Sequence, residues 1–443
     1  MSSFELEEEI YEEDGLSKED FLDIPQEKRD ILALIAAGHN VFITGCAGTG
    51  KSYLLKLIKQ IYDPYGFALT ASTGIAAVQI GGVTMHSWAG IGTGDQPRER
   101  ILDYINSFRG SKQRKQMQQA KILAIDEISM IAADVFELLD YVLRYVRKAN
   151  VPFGGIQLVL LGDFLQLPPI HRGNESNKFC FESSVWQDLQ IKTCFLRQVY
   201  RQQEQKFITL LDHLRLGKLT EEDVFILNSR MNLDCSSLLI KPTILTTHNT
   251  LAEQANKIEL ESILNKTISF EQQCNGSPDK IAFLQKYCLA PVKLDLKVGA
   301  QVMMIRNTYI KNGVINGSIG VVLDFTIRNT PIVEFENKII IKIQSAEWKY
   351  VEFNPLSLQQ ETKASIRQLP LIHAWSITVH KSQGMTIDAI LCDLGRLFEY
   401  GQGYVALSRA KSLSGLFMKS FDFSRVRVAT RAVEFYNSLN NVL

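Results

Sequence analysis

The chain has 443 residues, 46% of them hydrophobic and 22% charged, which is the balance of an ordinary globular protein and enough length for two or three domains. No apolar run approaches the roughly 20 residues that cross a bilayer, and the seven cysteines include no C-x-x-C pair, so a membrane-spanning chain, a disulfide framework and a zinc module are set aside and a soluble intracellular protein is expected. Basic and acidic residues balance at 48 each, which speaks against a nucleic-acid partner until their distribution is considered: residues 1–14 (MSSFELEEEIYEED) hold seven acidic and no basic side chains, leaving the rest of the chain seven positive.

That acidic start reads either as a solvated terminus or as a segment that binds a basic protein partner. It lacks the layout of a secretory signal or a transit peptide. From about residue 28 short apolar strands alternate with amphipathic helices: NVFITG, SYLLKLIKQIY, FALTAS, ILAIDE, DVFELLDYVLRYVRKA and IQLVLLGD. This rhythm predicts a parallel sheet covered by helices. The run Arg109–Lys121 concentrates five basic residues, either a phosphate-binding stretch or a solvated helical face. After TCFLRQVYRQ, a helix over Phe207–Leu216 leads into a second α/β rhythm at TILTTH and LAEQANKIELESIL, resumed at AWSITVHK, AILCDL and GLFMKSF.

Between the halves of this second unit the pattern changes to β-rich pieces (AQVMMIRN, GSIGVVLDF, PIVEFE, IIIKIQ) broken by Asn-Gly turns at Asn312 and Asn316, which predict a small inserted β-barrel. The expected fold is α/β: an acidic lead-in at 1–27, a first domain at 28–203 with a small insertion near 80–110, a second at 204–296 and 371–443, and the barrel at 297–370. No repeat of fixed period beyond the two α/β units is apparent.

Gly45-Cys46-Ala47-Gly48-Thr49-Gly50-Lys51-Ser52 satisfies G-x-x-x-x-G-K-[ST] between a predicted strand and helix. Such a loop turns backbone N–H groups onto a β-phosphate at a helix N-terminus. Lys51 reaches the β and γ oxygens, and the Ser52 hydroxyl holds magnesium. A nucleoside triphosphate, ATP with Mg2+, is the expected ligand. The strand Ile122–Ile125 ends in Asp126-Glu127, placing two carboxylates at the edge where open α/β sheets bind ligands. Asp126 is expected to hold magnesium and Glu127 to polarise the attacking water.

Five further segments follow in order: ASTGIAAVQIGGVTMHSWAGIG (Ala71–Gly92), PFGGIQLVLLGDFLQLPPI (Pro152–Ile170), VYRQ (Val199–Gln202), AWSITVHKSQGMTID (Ala374–Asp388) and YVALSRAKS (Tyr404–Ser412). In content and order this set, spanning about residues 38–415, resembles the Pif-type (petite integration frequency) DNA helicases of the superfamily one B branch and their RecD-like relatives. The resemblance implies that both α/β units are RecA-like and that ATP hydrolysis drives 5′ to 3′ movement on single-stranded DNA, one nucleotide per cycle. It also implies unwinding of tailed or structured DNA by a monomer, in repair, recombination, replication or telomere maintenance.

By the same resemblance Gln166 senses the γ-phosphate, and Arg201 and Arg409 are arginine fingers. Ser72, Thr73, Gly74 and His86 in the first unit, and Thr378, His380, Lys381, Ser382 and Gln383 in the second, lie along the strand. Trp88 and Trp375 flank these segments, either stacking on bases or anchoring the core. Family members read adenine with a glutamine ahead of the phosphate loop. Gln26 is the nearest here, about two residues further from Gly45 than the family spacing. The long terminal extensions of many members are not in this sequence, so a minimal helicase core is expected. Two other readings fit the residues less fully: an ATP-controlled single-strand binding protein or remodeller without unwinding, and an RNA helicase.

Overall fold

The computed structural model describes residues 24–62, 66–92, 94, 96–169, 178–235, 240–246, 248–354, 359–395, 397 and 399–440; the acidic start of the chain and Ile170 lie outside them. The residues form two compact units. One runs to Phe164 and takes in Pro168–Gln198 and Tyr350–Lys363; the other holds Leu165–Leu167, Val199–Lys349 and Ala364 onward. The units thus exchange short segments relative to chain order. Gln166 follows a strand of the first unit yet belongs to the second.

In the first unit, strands β1 (Val41–Thr44), β2 (Phe67–Ala71), β3 (Val83–Thr84), β4 (Ile122–Asp126), β5 (Gln157–Leu161) and β6 (Lys192–Phe195) form one sheet in the order β3-β2-β4-β5-β1-β6. Every pairing is parallel. The central strands are buried residue after residue, VFIT in β1 and ILAID in β4, because helices cover both faces. Helix α1 (Gln26–Ala36) and helix α2 (Lys51–Tyr62) supply one cover. Ile31, Leu32 and Ile35 of α1 and Leu54, Leu55, Ile58 and Ile61 of α2 share a core with Val41, Ile43, Ala124, Val159 and Leu161. The basic run falls on helix α3 (Ser111–Gln119), where Arg114 donates to the carbonyls of Ile105 and Asn106. It is a surface helix partly tied to the main chain.

The Pro152–Gly155 turn precedes β5 and therefore sits at the sheet edge opposite the phosphate loop. Its residues Phe153, Gly154 and Gly155 carry φ of 53°, 59° and 77°. Helix α4 (Ala133–Arg147) holds the turn: Phe153 N–H donates to Asp140 Oδ1 at 2.6 Å and Arg147 Nε donates to Gly154 O at 2.7 Å. The PFGG signature is thus a packing device. A methyl at Gly154 would stand 2.7 Å from the Leu143 carbonyl. Gly154→Ala is expected to cost about 1–3 kcal/mol in stability, read as a lower melting temperature, with nucleotide affinity unchanged. Weaker nucleotide binding at an unchanged melting temperature would contradict this placement.

In the second unit, β7 (Thr243–Thr246), β18 (Ser376–Thr378), β19 (Ile390–Leu394) and β20 (Leu416–Phe421) form a parallel sheet in the order β18-β7-β19-β20. Between β7 and β18 in the chain lie β8 (Ile268–Glu271), β9 (Gln273–Gly276), β10 (Lys293–Leu296), β15 (Ala346–Asn354), β16 (Gln359–Gln368) and the other strands of smaller antiparallel sheets. The largest has the order β14-β13-β12-β11-β17, built from β11 (Gln301–Met304), β12 (Ile319–Phe325), β13 (Pro331–Phe335), β14 (Ile340–Lys342) and β17 (Leu371–His373). Its core gathers Val302, Met304, Val322, Val333, Phe335 and Trp375. Trp375 and Trp88 are each 6% exposed, so both are core anchors and the base-stacking alternative falls away. Among the described residues no helix is long and apolar enough to cross a membrane.

Candidate functional site

All six strands of the first sheet run the same way, so the loops after β1, β2, β4 and β5 gather at one edge. The loop after β1 is Gly45–Gly50. Gly45, Gly48 and Gly50 have φ of 153°, 84° and 90°, and a Cβ on Gly45 would lie 2.5 Å from Leu196 O, so glycine is required for the close approach to the end of β6. Thr49 Oγ1 donates to Cys46 O at 2.9 Å, and Lys51 Nζ donates to Gly45 O at 2.6 Å and Cys46 O at 3.0 Å. Ala47 is buried in the loop, while Ser52 is exposed on the first turn of α2.

Asp126 ends β4 in a buried position, its Oδ1 accepting from Glu127 N–H at 3.0 Å. Burial pushes its carboxyl up to about 6, against the Glu127 hydrogen bond and the positive charge of Lys51, which pull it down. A divalent cation would return it to the carboxylate. Among the described residues no three His, Cys, Asp or Glu side chains cluster as a metal cage. Asp126 and Ser52 instead offer the one or two hard oxygen ligands that suit a magnesium ion bound mainly through phosphates. Glu127 is held at φ 53°, ψ 46°, a left-handed conformation rare for a residue with a side chain.

The same edge carries the segment that the resemblance would set along a DNA strand. Ser72 N–H donates to Asp126 O at 3.0 Å, so the loop after β2 is bonded directly to the carboxylate strand. Thr73 caps the short helix Gly74–Ile80, its Oγ1 accepting from Ala76 N–H at 3.3 Å, and His86 lies on the next helix, Met85–Ala89. Ser72 Oγ is buried with no hydrogen-bond partner among the described residues.

In the second unit Arg201 and Arg409 stand at one turn. Arg201 Nε donates to Thr386 Oγ1 and its Nη1 to Ser408 O, both at 2.9 Å. Arg409 is 2% exposed, its Nε donating to Val405 O at 2.8 Å, its Nη2 to Ser408 Oγ at 2.9 Å and its Nη1 to Ser382 O at 3.4 Å. Desolvation, and then the charge of Arg409, push the Arg201 pKa well below the ordinary arginine value. Two desolvated guanidiniums this close are suited to an anion such as a phosphate.

Arg409 touches, at Ser382, the segment that the resemblance would set along a DNA strand. Thr378 ends β18, Ser382 N–H donates to Thr378 O, and Ser382 Oγ donates to Val379 O at 2.8 Å. Lys381 N–H donates to Thr378 Oγ1 at 3.3 Å, His380 is exposed, and Gln383 Nε2 is buried with no partner among the described residues. Gln166 is 6% exposed, and its carbonyl lies where a Cβ on Gly401 would stand, 2.4 Å away.

Gln26 is exposed and engaged within α1, donating to Asp30 Oδ1 and accepting from Arg29 Nη2, each at 2.7 Å. The α1 side chain set against the phosphate-loop helix is Lys28, 3% exposed, with Nζ 5.0 Å from the Tyr53 ring centre. Sequence reasoning did not single out Lys28, Thr386, Ser408 or Gln202, which donates to Ser408 O and Ala410 O. Thr386 lay inside the HKSQGMT run, the one local signal for it.

Residues 23–224 match the family described as PIF1-like helicase, and residues 283–325 match the family described as DNA helicase Pif1, 2B domain. The human protein named ATP-dependent DNA helicase PIF1 is 40% identical over 418 residues, covering 94% of this chain and 64% of that protein. The chain thus spans just under two thirds of this relative. The crystal structure of Bacteroides sp Pif1 in complex with ADP-AlF4 is 30% identical with a TM-score of 0.84, covering 94% of this chain and 97% of that one. Bacteroides Pif1 bound to ssDNA is 29% identical with a TM-score of 0.63, covering 95% and 98%.

Proposed function

Because this chain belongs to the PIF1-like helicase family, we propose that it is an ATP-dependent DNA helicase that moves 5′ to 3′ on single-stranded DNA and opens tailed or structured duplexes, working as a monomer. The observation that carries the reading is a bond, in each unit, between the nucleotide residues and the strand segment. In the first, Ser72 N–H meets Asp126 O; in the second, Arg409 Nη1 meets Ser382 O. A change at the phosphate is thereby passed to the residues along the strand over one hydrogen bond. Ser72 Oγ and Gln383 Nε2, buried and without a hydrogen-bond partner among the described residues, support a polar ligand along those segments. The domain reading stands with it: RecA-like domains at 28–203 and at 204–296 with 371–443, and an insertion at 297–370.

In this mechanism the Gly45–Gly50 amides and Lys51 take the β- and γ-phosphates. Asp126 and Ser52 would hold Mg2+, which would supply neutralisation of the phosphate charge. Glu127 orients and deprotonates the attacking water, accepting its proton as the oxygen adds to the γ-phosphorus and the bond to the ADP oxygen breaks. Arg201 and Arg409 stabilise the charge on the transferring group, and Gln166 responds to its loss. The strand grip differs between the ATP and ADP states because only ATP engages the arginines, a shift in population that advances the enzyme.

ATP hydrolysis by the purified protein, measured alone, with DNA oligomers and with RNA oligomers, tests the substrate. Strong stimulation by single-stranded DNA is expected. Equal stimulation by RNA would assign an RNA helicase, and turnover indifferent to both would sink the proposal.

A further inference from the structure

We propose that Thr386 is a positioning residue for ATP hydrolysis: its hydroxyl sets the plane of the Arg201 guanidinium, and the Asn316–Gly317 turn of the largest antiparallel sheet holds Thr386 in place. The inference rests on the reading of Arg201 as a residue that acts on the γ-phosphate.

A guanidinium is planar, with its five N–H groups fixed in that plane. Two bonds from different nitrogens therefore fix its orientation. For Arg201 they are Nε to Thr386 Oγ1 and Nη1 to Ser408 O, both 2.9 Å. The second acceptor is a main-chain carbonyl that no side-chain change removes, so the Thr386 hydroxyl is the replaceable half of the pair. Arg409 is anchored separately, through Val405 O, Ser382 O and Ser408 Oγ. Loss of the Thr386 hydroxyl would leave Arg409 in place and release only Arg201.

Thr386 is itself held from the antiparallel sheet. Gly317 has φ +100°, and a Cβ there would stand 2.2 Å from Thr386 O and 3.0 Å from Thr386 N, so only glycine lets the two backbones meet. Thr386 N–H donates to Asn316 O at 3.4 Å, and Gly317 N–H donates to Met304 O at 2.8 Å on β11. A continuous path of contacts thus runs from β11 through the turn and Thr386 to Arg201. A displacement of this sheet reaches the guanidinium without passing through the parallel sheet of the same unit.

The test compares Thr386→Val, which keeps the shape and removes the hydroxyl, with Thr386→Ser, which keeps the hydroxyl, in steady-state ATP hydrolysis at saturating single-stranded DNA. Misplacing a transition-state group by about an ångström costs on the order of 100-fold, so Thr386→Val is expected to lose about 10- to 100-fold in kcat. KM for ATP should change much less than kcat, since a γ-phosphate contact counts most where charge develops in the transition state, and the nucleotide-free Kd for a fluorescent DNA oligomer should stay within about twofold. Thr386→Ser should recover most of kcat. Gly317→Ala should reproduce the kcat loss with a much smaller change in KM.

A wild-type kcat in Thr386→Val overturns the proposal. So does a loss that serine fails to rescue, which would mark a packing role, or a change confined to KM. Gly317→Ala with a lowered melting temperature and an unchanged kcat overturns the link to the antiparallel sheet. Absence of ATP hydrolysis in the wild-type protein overturns the functional reading and this inference together; normal hydrolysis in the wild type with loss in Arg201→Ala but none in Thr386→Val overturns this inference alone.

Discussion

Arg409→Lys is expected to lower kcat for ATP hydrolysis by about 1,000-fold, the lower end of what an arginine finger contributes. Lysine keeps a positive charge but presents a single ammonium in place of a planar fork. The fork in this protein makes three separate bonds, to Val405 O, Ser408 Oγ and Ser382 O, in a site that leaves the residue 2% exposed. An ammonium cannot satisfy all three and also reach a phosphate. The variant should also melt a few degrees lower, because carbonyls that accepted the guanidinium lose their partner in a buried place. Nucleotide-free affinity for single-stranded DNA should fall much less than kcat. A variant that hydrolyses ATP at the wild-type rate would remove Arg409 from the chemistry.

The second large effect is expected at Lys51. Lys51→Ala should reduce hydrolysis by about two to three orders of magnitude, the range for loss of one electrostatic donor at a transition state, and should weaken ATP binding as well. The fold should survive. In the structure the ammonium donates to Gly45 O and Cys46 O, while the loop's shape is set by its glycines and by the Thr49 Oγ1 bond to Cys46 O. The side chain must leave those carbonyls to reach a phosphate, a local motion that the flexible four-carbon stem permits. Single-stranded DNA binding without nucleotide, measured by fluorescence anisotropy, should stay within about threefold of wild type, since Lys51 is not among the strand residues. Loss of DNA binding to the same degree as hydrolysis would show instead that the phosphate loop is a structural part of the strand groove.

Much of this architecture was legible in the sequence, and unevenly so. Strands such as VFIT and ILAID are continuously apolar because both faces are covered, and runs of that kind bounded by glycine and acidic residues read directly as central parallel strands. The phosphate loop carries its own conformational demands, three glycines with positive φ, so its spacing alone specifies it. The PFGG turn was legible as a motif but not as a structural one; its left-handed Phe153 is stabilised by Asp140 on helix α4, a contact no local pattern reveals.

What was illegible depends on long-range contacts. The hydrogen bond from Arg201 to Thr386 joins residues 185 apart in the chain, and threonine in a loop announces nothing about such a partner. The transfer of Leu165–Leu167 to the second unit has the same character: Gln166 is read as a loop residue after β5, while the fold packs its carbonyl against Gly401. Composition was equally silent on Lys28. An exposed lysine is the ordinary expectation, yet here the amine lies over Tyr53 and the residue is nearly enclosed, whereas Gln26 bonds within its own helix. Trp88 and Trp375 fit both base stacking and core packing as sequence, and burial alone decides between them.

The most direct test of the central claim, that ATP hydrolysis drives this chain along one DNA strand, is unwinding of a duplex bearing a single-stranded 5′ tail beside the same duplex bearing a 3′ tail, with ATP and magnesium present. Strand separation that requires the 5′ tail, and disappears in Lys51→Ala, is the predicted result; hydrolysis stimulated by DNA with neither duplex opened, or opening that depends on the 3′ tail, would contradict the account.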